Sequence, residues 1–247
     1  MKDESYIDDK MVLSKAKDTI YLSQKRFSTC YYGFLNEHQA QLIKDRIELS
    51  DDCLFWGGYE DAQRVLFCSN VKSKEEIPIV AIRFTYKKEF KLTHRDFLGS
   101  LMALGIKRET LGDILTFEGY SIVFVKADIA QYIMSEVTKI GRVGVSSTVQ
   151  DIGEINFVPE YEMIDLTISS LRLDVLVSAL CNLSRDKSQS LIKADLVSVN
   201  HRITDNVSAI LKTRDVITIR KYGKFMFTEE NGFSKKGKVR ITVKHFR

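Results

Sequence analysis

Ser170-Leu-Arg-Leu-Asp-Val-Leu-Val-Ser-Ala-Leu180, then Asn182-Leu-Ser-Arg-Asp-Lys-Ser188, Leu191-Ile192, Val197-Ser-Val-Asn200 and Asp215-Val-Ile-Thr-Ile-Arg220, is the part of the chain whose pattern decides the fold. Leu173, Leu176, Val177 and Leu180 share one helical face. Ser184 is an N-cap for a second short helix that buries Leu191 and Ile192. The period then changes from helical to alternating. Val197 and Val199 alternate with Ser198 and Asn200, Ile217 and Ile219 with Thr218 and Arg220, and the closing Val239, Ile241 and Val243 with Lys238, Arg240 and Lys244. Two helices backed by strands, the last with a basic face, are predicted for residues 170–247.

Charge is concentrated in the same region. The 247 residues carry a formal +4, but from Arg172 onward there are 16 Lys plus Arg against 7 Asp plus Glu, a balance of +9. Residues 1–171 hold 21 against 26, a balance of −5. Between Arg142 and Arg172 no Lys or Arg occurs, and Asp151, Glu154, Glu160, Glu162 and Asp165 gather around Pro159, which marks a domain junction. Self-repulsion at +9 is offset when the region meets an anionic polymer, nucleic acid ahead of a membrane surface.

Upstream, Pro78 opens a regular run: a strand near Ile79–Tyr86, a helix from about His94 to Leu104 capped by Thr93 and Asp96, strands near Asp113–Phe117 and Ser121–Val125, a helix near Asp128–Lys139 and a strand near Val143. That β-α-β-β-α-β order is a ferredoxin-like, RRM-like split βαβ domain. Its third strand carries Phe124 but lacks the paired aromatics that stack bases in RNA recognition motifs. Before it, a charged helix over 5–27, a second helix opened by the Asn36/Gln39 capping box and running to about Leu49, and a strand-turn-re-entry through Cys53–Asp61 make a small mixed domain. The class is α+β, with domains at 1–74, 75–165 and 170–247.

Arg185 and Lys187 fall in the first turn after Ser184, where the helix dipole disfavours each cation by about 0.3 to 1 kcal/mol. A phosphate docked on the free N–H groups would compensate. Arg172 opens the preceding helix in the same awkward way, with Asp174 placed to pair with it or orient it. Lys193, Arg220, Arg240 and the run Lys221, Lys224, Lys235, Lys236 and Lys238 around Gly223 and Gly237 extend the basic surface, with Tyr222 and Phe225 available for stacking or for the core. His94, Arg95, Lys107 and Arg108 form a possible second anion site, or else helix caps and solvated helix ends. Cys30, Cys53, Cys68 and Cys181 lack C-x-x-C spacing and never approach His38, His94, His201 or His245 as zinc ligands would. Buried free thiols, no metal and no cofactor are expected. No phosphate-cradling, dinucleotide or nucleophile-elbow motif is present, so no catalytic residue is assigned. With no signal peptide and no membrane-length apolar run, the cytoplasm is the expected compartment.

The distributed motif from Ser170 to Arg220, with Gly223-Lys-Phe after it, resembles an S4 domain of the αL type; many S4 domains place Gly where this chain has Asp195, a residue that tolerates left-handed backbone. The remainder resembles the YlmH family through Trp56-Gly-Gly-Tyr-Glu-Asp-Ala, Lys91-Leu-Thr-His-Arg-Asp-Phe-Leu-Gly-Ser-Leu-Met-Ala-Leu-Gly-Ile-Lys-Arg, Gly112-Asp113-Ile114, Lys139-Ile-Gly-Arg-Val-Gly-Val and Ser234-Lys-Lys-Gly-Lys-Val-Arg-Ile. The resemblance implies a monomeric, noncatalytic factor that binds structured RNA (23S rRNA and tRNA) on the large ribosomal subunit carrying peptidyl-tRNA after translation stalls; some members are named for cell division. It also implies that Arg172, Arg185 and Lys187 touch RNA. A pseudouridine-synthase-type enzyme and a division scaffold without RNA are the competing readings. The first usually carries S4 at the other end, and the second leaves the basic tail unexplained.

Overall fold

The computed structural model describes residues 9–155, 157 and 161–246. Helix α1 (Asp9–Arg26) buries Val12, Ala16, Thr19 and Ser23, one stripe at helical spacing; the expected start at residue 5 lies outside the described residues. Strand β1 (Cys30–Leu35) leads to α2 (Glu37–Arg46), where Asn36 and Gln39 close the expected capping box, although the helix stops at Arg46, short of Leu49. Strands β2 (Leu54–Trp56) and β3 (Val65–Ser69) complete a three-stranded antiparallel sheet of order β1-β3-β2.

The next elements are β4 (Ile79–Thr85), α3 (His94–Ala103), β5 (Leu111–Phe117), β6 (Tyr120–Lys126) and α4 (Ala127–Glu136). A two-stranded ribbon, β7 (Lys139–Ile140) and β8 (Val143–Gly144), follows, and then β9 (Ser146–Gln150). The sheet order β5-β6-β4-β9 is the split βαβ arrangement. Val143 sits in the ribbon, and β9 supplies the fourth strand. Its Ser-Ser-Thr-Val-Gln sequence suits an edge that buries little, and that polarity hid it from hydrophobic patterning.

Ile82, Phe84, Val123 and Val125 face Phe97 of α3 and Ile133 of α4. The opposite face presents Ala81, Leu115, Ile122 and Phe124 to Phe34, Tyr59, Leu66 and Phe157. The expected 1–74 segment and the expected 75–165 segment as far as Phe157 therefore share a core, and they pack as one compact unit, Met1–Phe157. Gly58 lets the chain cross this core: its φ is +104°, and a Cβ there would stand 2.5 Å from Phe124 Cδ1.

The second unit, Val158–Arg247, starts earlier than the expected residue 170. Strand β10 (Tyr161–Ile168) pairs along its whole length with the last strand of the chain, which assigns it here. Helix α5 (Leu173–Cys181) ends on Asn182 in left-handed backbone, and α6 (Arg185–Lys193) starts on the Ser184 cap. Asp195 takes the left-handed conformation at φ 58° that glycine would take more easily. Strands β11 (Val197–Val199) and β12 (Arg202–Ile203) are joined by Asn200 and His201, both at positive φ, a tight hairpin. Then come β13 (Val216–Ile219), β14 (Gly223–Phe233) and β15 (Val239–Phe246), giving the order β10-β15-β14-β13-β11-β12. Leu173, Leu176, Val177 and Ile192 cover one face of that sheet, against Ile217, Ile219, Phe225, Phe227, Ile241 and Val243.

Candidate nucleic-acid interface

The expected cationic site is organised by a buried acid. Asp174, in the first turn of α5, is fully buried. Arg172 donates from Nε to its Oδ1 and from Nη2 to its Oδ2, each at 3.0 Å, and Arg185 Nε and Gln189 Nε2 both donate to Oδ2 at 3.0 Å. Ser188 Oγ donates to the Asp174 carbonyl at 2.9 Å and locks α6 onto α5. Hydrogen bonds from the Arg172 guanidinium, joined by those from Gln189 and Arg185, outweigh burial and hold the Asp174 carboxyl well below the usual carboxylate range. It stays ionised at any physiological pH.

Two guanidiniums are thereby fixed side by side, with side chains 32% and 59% exposed for Arg172 and Arg185. Arg185 spends only its Nε on the carboxylate, so the planar fork of Nη groups remains for a phosphate. The dipole penalty on Arg185 is answered inside the protein by Asp174. Lys187, whose backbone N–H is capped by Ser184 Oγ at 3.4 Å, lies exposed two residues further along α6.

The other expected residues are placed apart from this cluster. Lys193 ends α6, roughly 12 Å of helix from Arg185. Arg220 and Lys221 form the β13–β14 turn, where Lys221 has φ 73°. The lysine-rich stretch around Gly223 and Gly237 is a paired hairpin, because Phe225 and Phe227 alternate into the core and their strand bonds β13 and β15. Lys224 therefore stands at one end of β14, and Lys235, Lys236 and Lys238 surround the turn at the other, roughly 30 Å away. Arg240 is exposed on β15 opposite Thr167. Phe225 is core and stacks on His245 at 4.4 Å, whereas Tyr222 is exposed.

In the first unit, Arg108 Nη1 donates to the carbonyls of Leu111 and Gly112, and Arg64, which the sequence reading passed over, donates to those of Phe34, Arg108 and Leu111. These guanidiniums brace loops. Burial and the nearby Arg108 lower the pKa of His94, which favours its neutral ring; Arg95 and Lys107 are exposed. The Trp56-Gly-Gly-Tyr and Gly112-Asp113 motifs meet in a structural latch. Asp113 accepts from Tyr59 Oη at 2.8 Å and from the backbone N–H groups of Gln63 and Arg64 at 2.7 and 3.1 Å. Burial pushes the Cys68 thiol up to about 12 and the Cys181 thiol up to about 11, so both stay protonated.

Residues 73–154 match a family described as "Putative RNA-binding domain in YlmH", and residues 171–217 match the S4 domain, the segment that holds Arg172, Asp174, Arg185 and Lys187. A Bacillus subtilis relative, "Ribosome-associated protein quality control protein P2", is 31% identical over 242 residues, covering 95% of this chain and 94% of its own. The chain belongs to the YlmH family. A solved structure, "Cell division protein ylmH from Streptococcus pneumoniae", shares the fold at 24% identity and a TM-score of 0.50, over 62% of this YlmH-family chain and 98% of its own. No helix among the described residues is long and apolar enough to cross a membrane.

Proposed function

We propose that this YlmH-family protein is a noncatalytic RNA-binding factor of the cytoplasm. In this reading it engages the large ribosomal subunit carrying peptidyl-tRNA, as a monomer, in the rescue or quality control of stalled translation. The observation that carries the reading is the Asp174 cluster: a buried carboxylate presents two oriented guanidiniums, with Lys187 nearby, inside the segment that matches S4. Fixed guanidinium forks suit phosphate in structured 23S rRNA or tRNA, which is read by shape and backbone rather than by base edges. The B. subtilis relative's name supports the ribosomal context. Arg172, Arg185 and Lys187 are the central contacts, with Lys193, Arg220, Lys221 and Arg240 as flanking cations.

Co-sedimentation of the full chain with purified large subunits tests this. Arg185→Ala/Lys187→Ala is expected to lower binding about tenfold or more while the circular dichroism spectrum is kept. Unchanged binding by the folded variant overturns the site. Nucleoside mass spectrometry of the incubated subunit RNA should show no new modification, and a modified nucleoside would favour the enzyme reading.

A further inference from the structure

Among the described residues, the helices of the second unit, α5 and α6, pack on one face of its sheet, and the pairing register shows what stands on the other. One cross-strand row reads Tyr161–Phe246–Lys224–Thr218, and the next reads Met163–Lys244–Met226–Val216. Tyr161 is 48% and Met163 52% exposed. Lys244 Nζ lies 3.7 Å from the Tyr161 ring centroid and 5.4 Å from that of Phe246, and Lys224 Nζ lies 5.4 Å from Phe246. Cations and ring faces are thus woven together over two rows. Carboxylates stand in the third row, where Asp165 accepts from Thr242 Oγ1 at 2.6 Å and Glu229 pairs opposite Thr242.

We propose that this outward face is a second RNA-contact surface, taking a short unpaired run whose bases stack on Tyr161 and Phe246 and whose phosphates meet Lys244 and Lys224. It deepens the RNA-binding reading and rests on it, but uses residues outside the S4 match. Each ammonium that now caps a ring is one side-chain swing from the phosphate beside a stacked base. Stacking therefore replaces the cation–ring contact as the lysine takes up the anion. The two rows lie roughly 7 Å apart, so they offer adjacent stacking positions, and the carboxylates of the third row bound the surface by repelling the next phosphate. A protein partner would gain from the exposed Tyr161 and Met163 but has no particular use for two ring-capping lysines.

The test is fluorescence anisotropy of the full chain with a labelled oligouridylate, which is unpaired, and with a blunt RNA duplex. Tyr161→Ala/Phe246→Ala should weaken oligouridylate binding about tenfold and duplex binding less than twofold, Tyr161→Phe should bind like the parent, and Lys244→Gln should lose severalfold. Arg185→Ala/Lys187→Ala should show the converse pattern, weakening the duplex most. If that pair leaves duplex binding intact while the aromatic pair loses oligouridylate, the helix-side site fails and this surface stands. If the double alanine variant is poorly folded, Tyr161→Trp replaces it: oligouridylate should quench its added fluorescence beyond any change seen for Trp56 in the parent. Oligouridylate affinity within twofold of the parent in the folded alanine variant, or no added quenching in the tryptophan variant, overturns the proposal. So does a wild-type dimer in sedimentation that the alanine substitutions dissolve, since that would mean a second copy covers the face.

Discussion

Asp113 and Asp174 are both buried aspartates, one in each unit, and their surroundings drive them in opposite directions. Asp113 receives a tyrosine hydroxyl and two backbone amides, and the charge of Arg64 also lowers its pKa, but burial outweighs all of these, so its pKa rises. Asp174 receives two guanidiniums and a carboxamide, and its pKa falls. What separates them is that Asp174 takes hydrogen bonds from two guanidiniums. The first fastens the Gly57–Arg64 loop to β5 deep in a core, and the second keeps cations poised at a surface. The sheets behind them repeat the contrast. Phe34, Tyr59 and Leu66 pack on the RRM-like sheet face that would otherwise be open to RNA, and Phe124 is consumed there. The sheet of the second unit leaves Tyr161 and Lys244 outside.

That comparison can be broken by substitution. Asp174→Ala should have the largest effect, about 2 to 3 kcal/mol off the stability of the second unit, because Arg172 and Arg185 lose their shared partner. RNA affinity should also drop severalfold as the forks lose orientation. Denaturant unfolding and anisotropy check both, and a variant with full stability and full affinity would reduce the cluster to a surface ion pair. Tyr59→Phe should cost about 1 to 2 kcal/mol, followed through Trp56 fluorescence in the first unit, and should leave RNA binding unchanged; a loss of affinity would show that the latch serves the interface.

The smallest effects lie in the pH dependence. Asp174 has a depressed folded pKa, so its contribution is present above the unfolded value near 3.9 and is lost as pH falls through the folded value. For Asp113 the folded pKa is raised, so stability contributed by its protonated form is present below the unfolded value and fades as pH climbs to the folded one. Asp174→Asn should therefore remove part of the acid sensitivity, and Asp113→Asn should remove a decline above pH 4. Matching pH profiles for the two variants would erase the distinction.

Local chemistry was readable in advance. The Asn36/Gln39, Thr93/Asp96 and Ser184 caps form as their spacing predicts, and Asp195 adopts the left-handed turn. These features depend on residues within a few positions of one another. Long-range register was not readable. Tyr161 and Phe246 pair across 85 positions, so nothing near Tyr161 announced that it belongs to the last sheet or that Lys244 would cap its ring. The β14 strand was masked by its flanking lysines, and the shared core of the first unit depends on Tyr59 reaching Phe124 and Asp113. In the Asp174 cluster, Arg172 beside Asp174 was visible as a pair two residues apart, but the arrival of Arg185 and Gln189 on the same carboxylate required the angle between α5 and α6.

The most direct measurement is the salt dependence of structured-RNA binding by the intact chain and by Arg185→Ala/Lys187→Ala. With about six phosphate contacts, log K should fall against log salt with a slope of roughly −4 to −5, and removing two cations should flatten it by roughly 1 to 2. A slope near zero, or one that the double substitution leaves unchanged, would contradict the claim that these cations grip RNA phosphates.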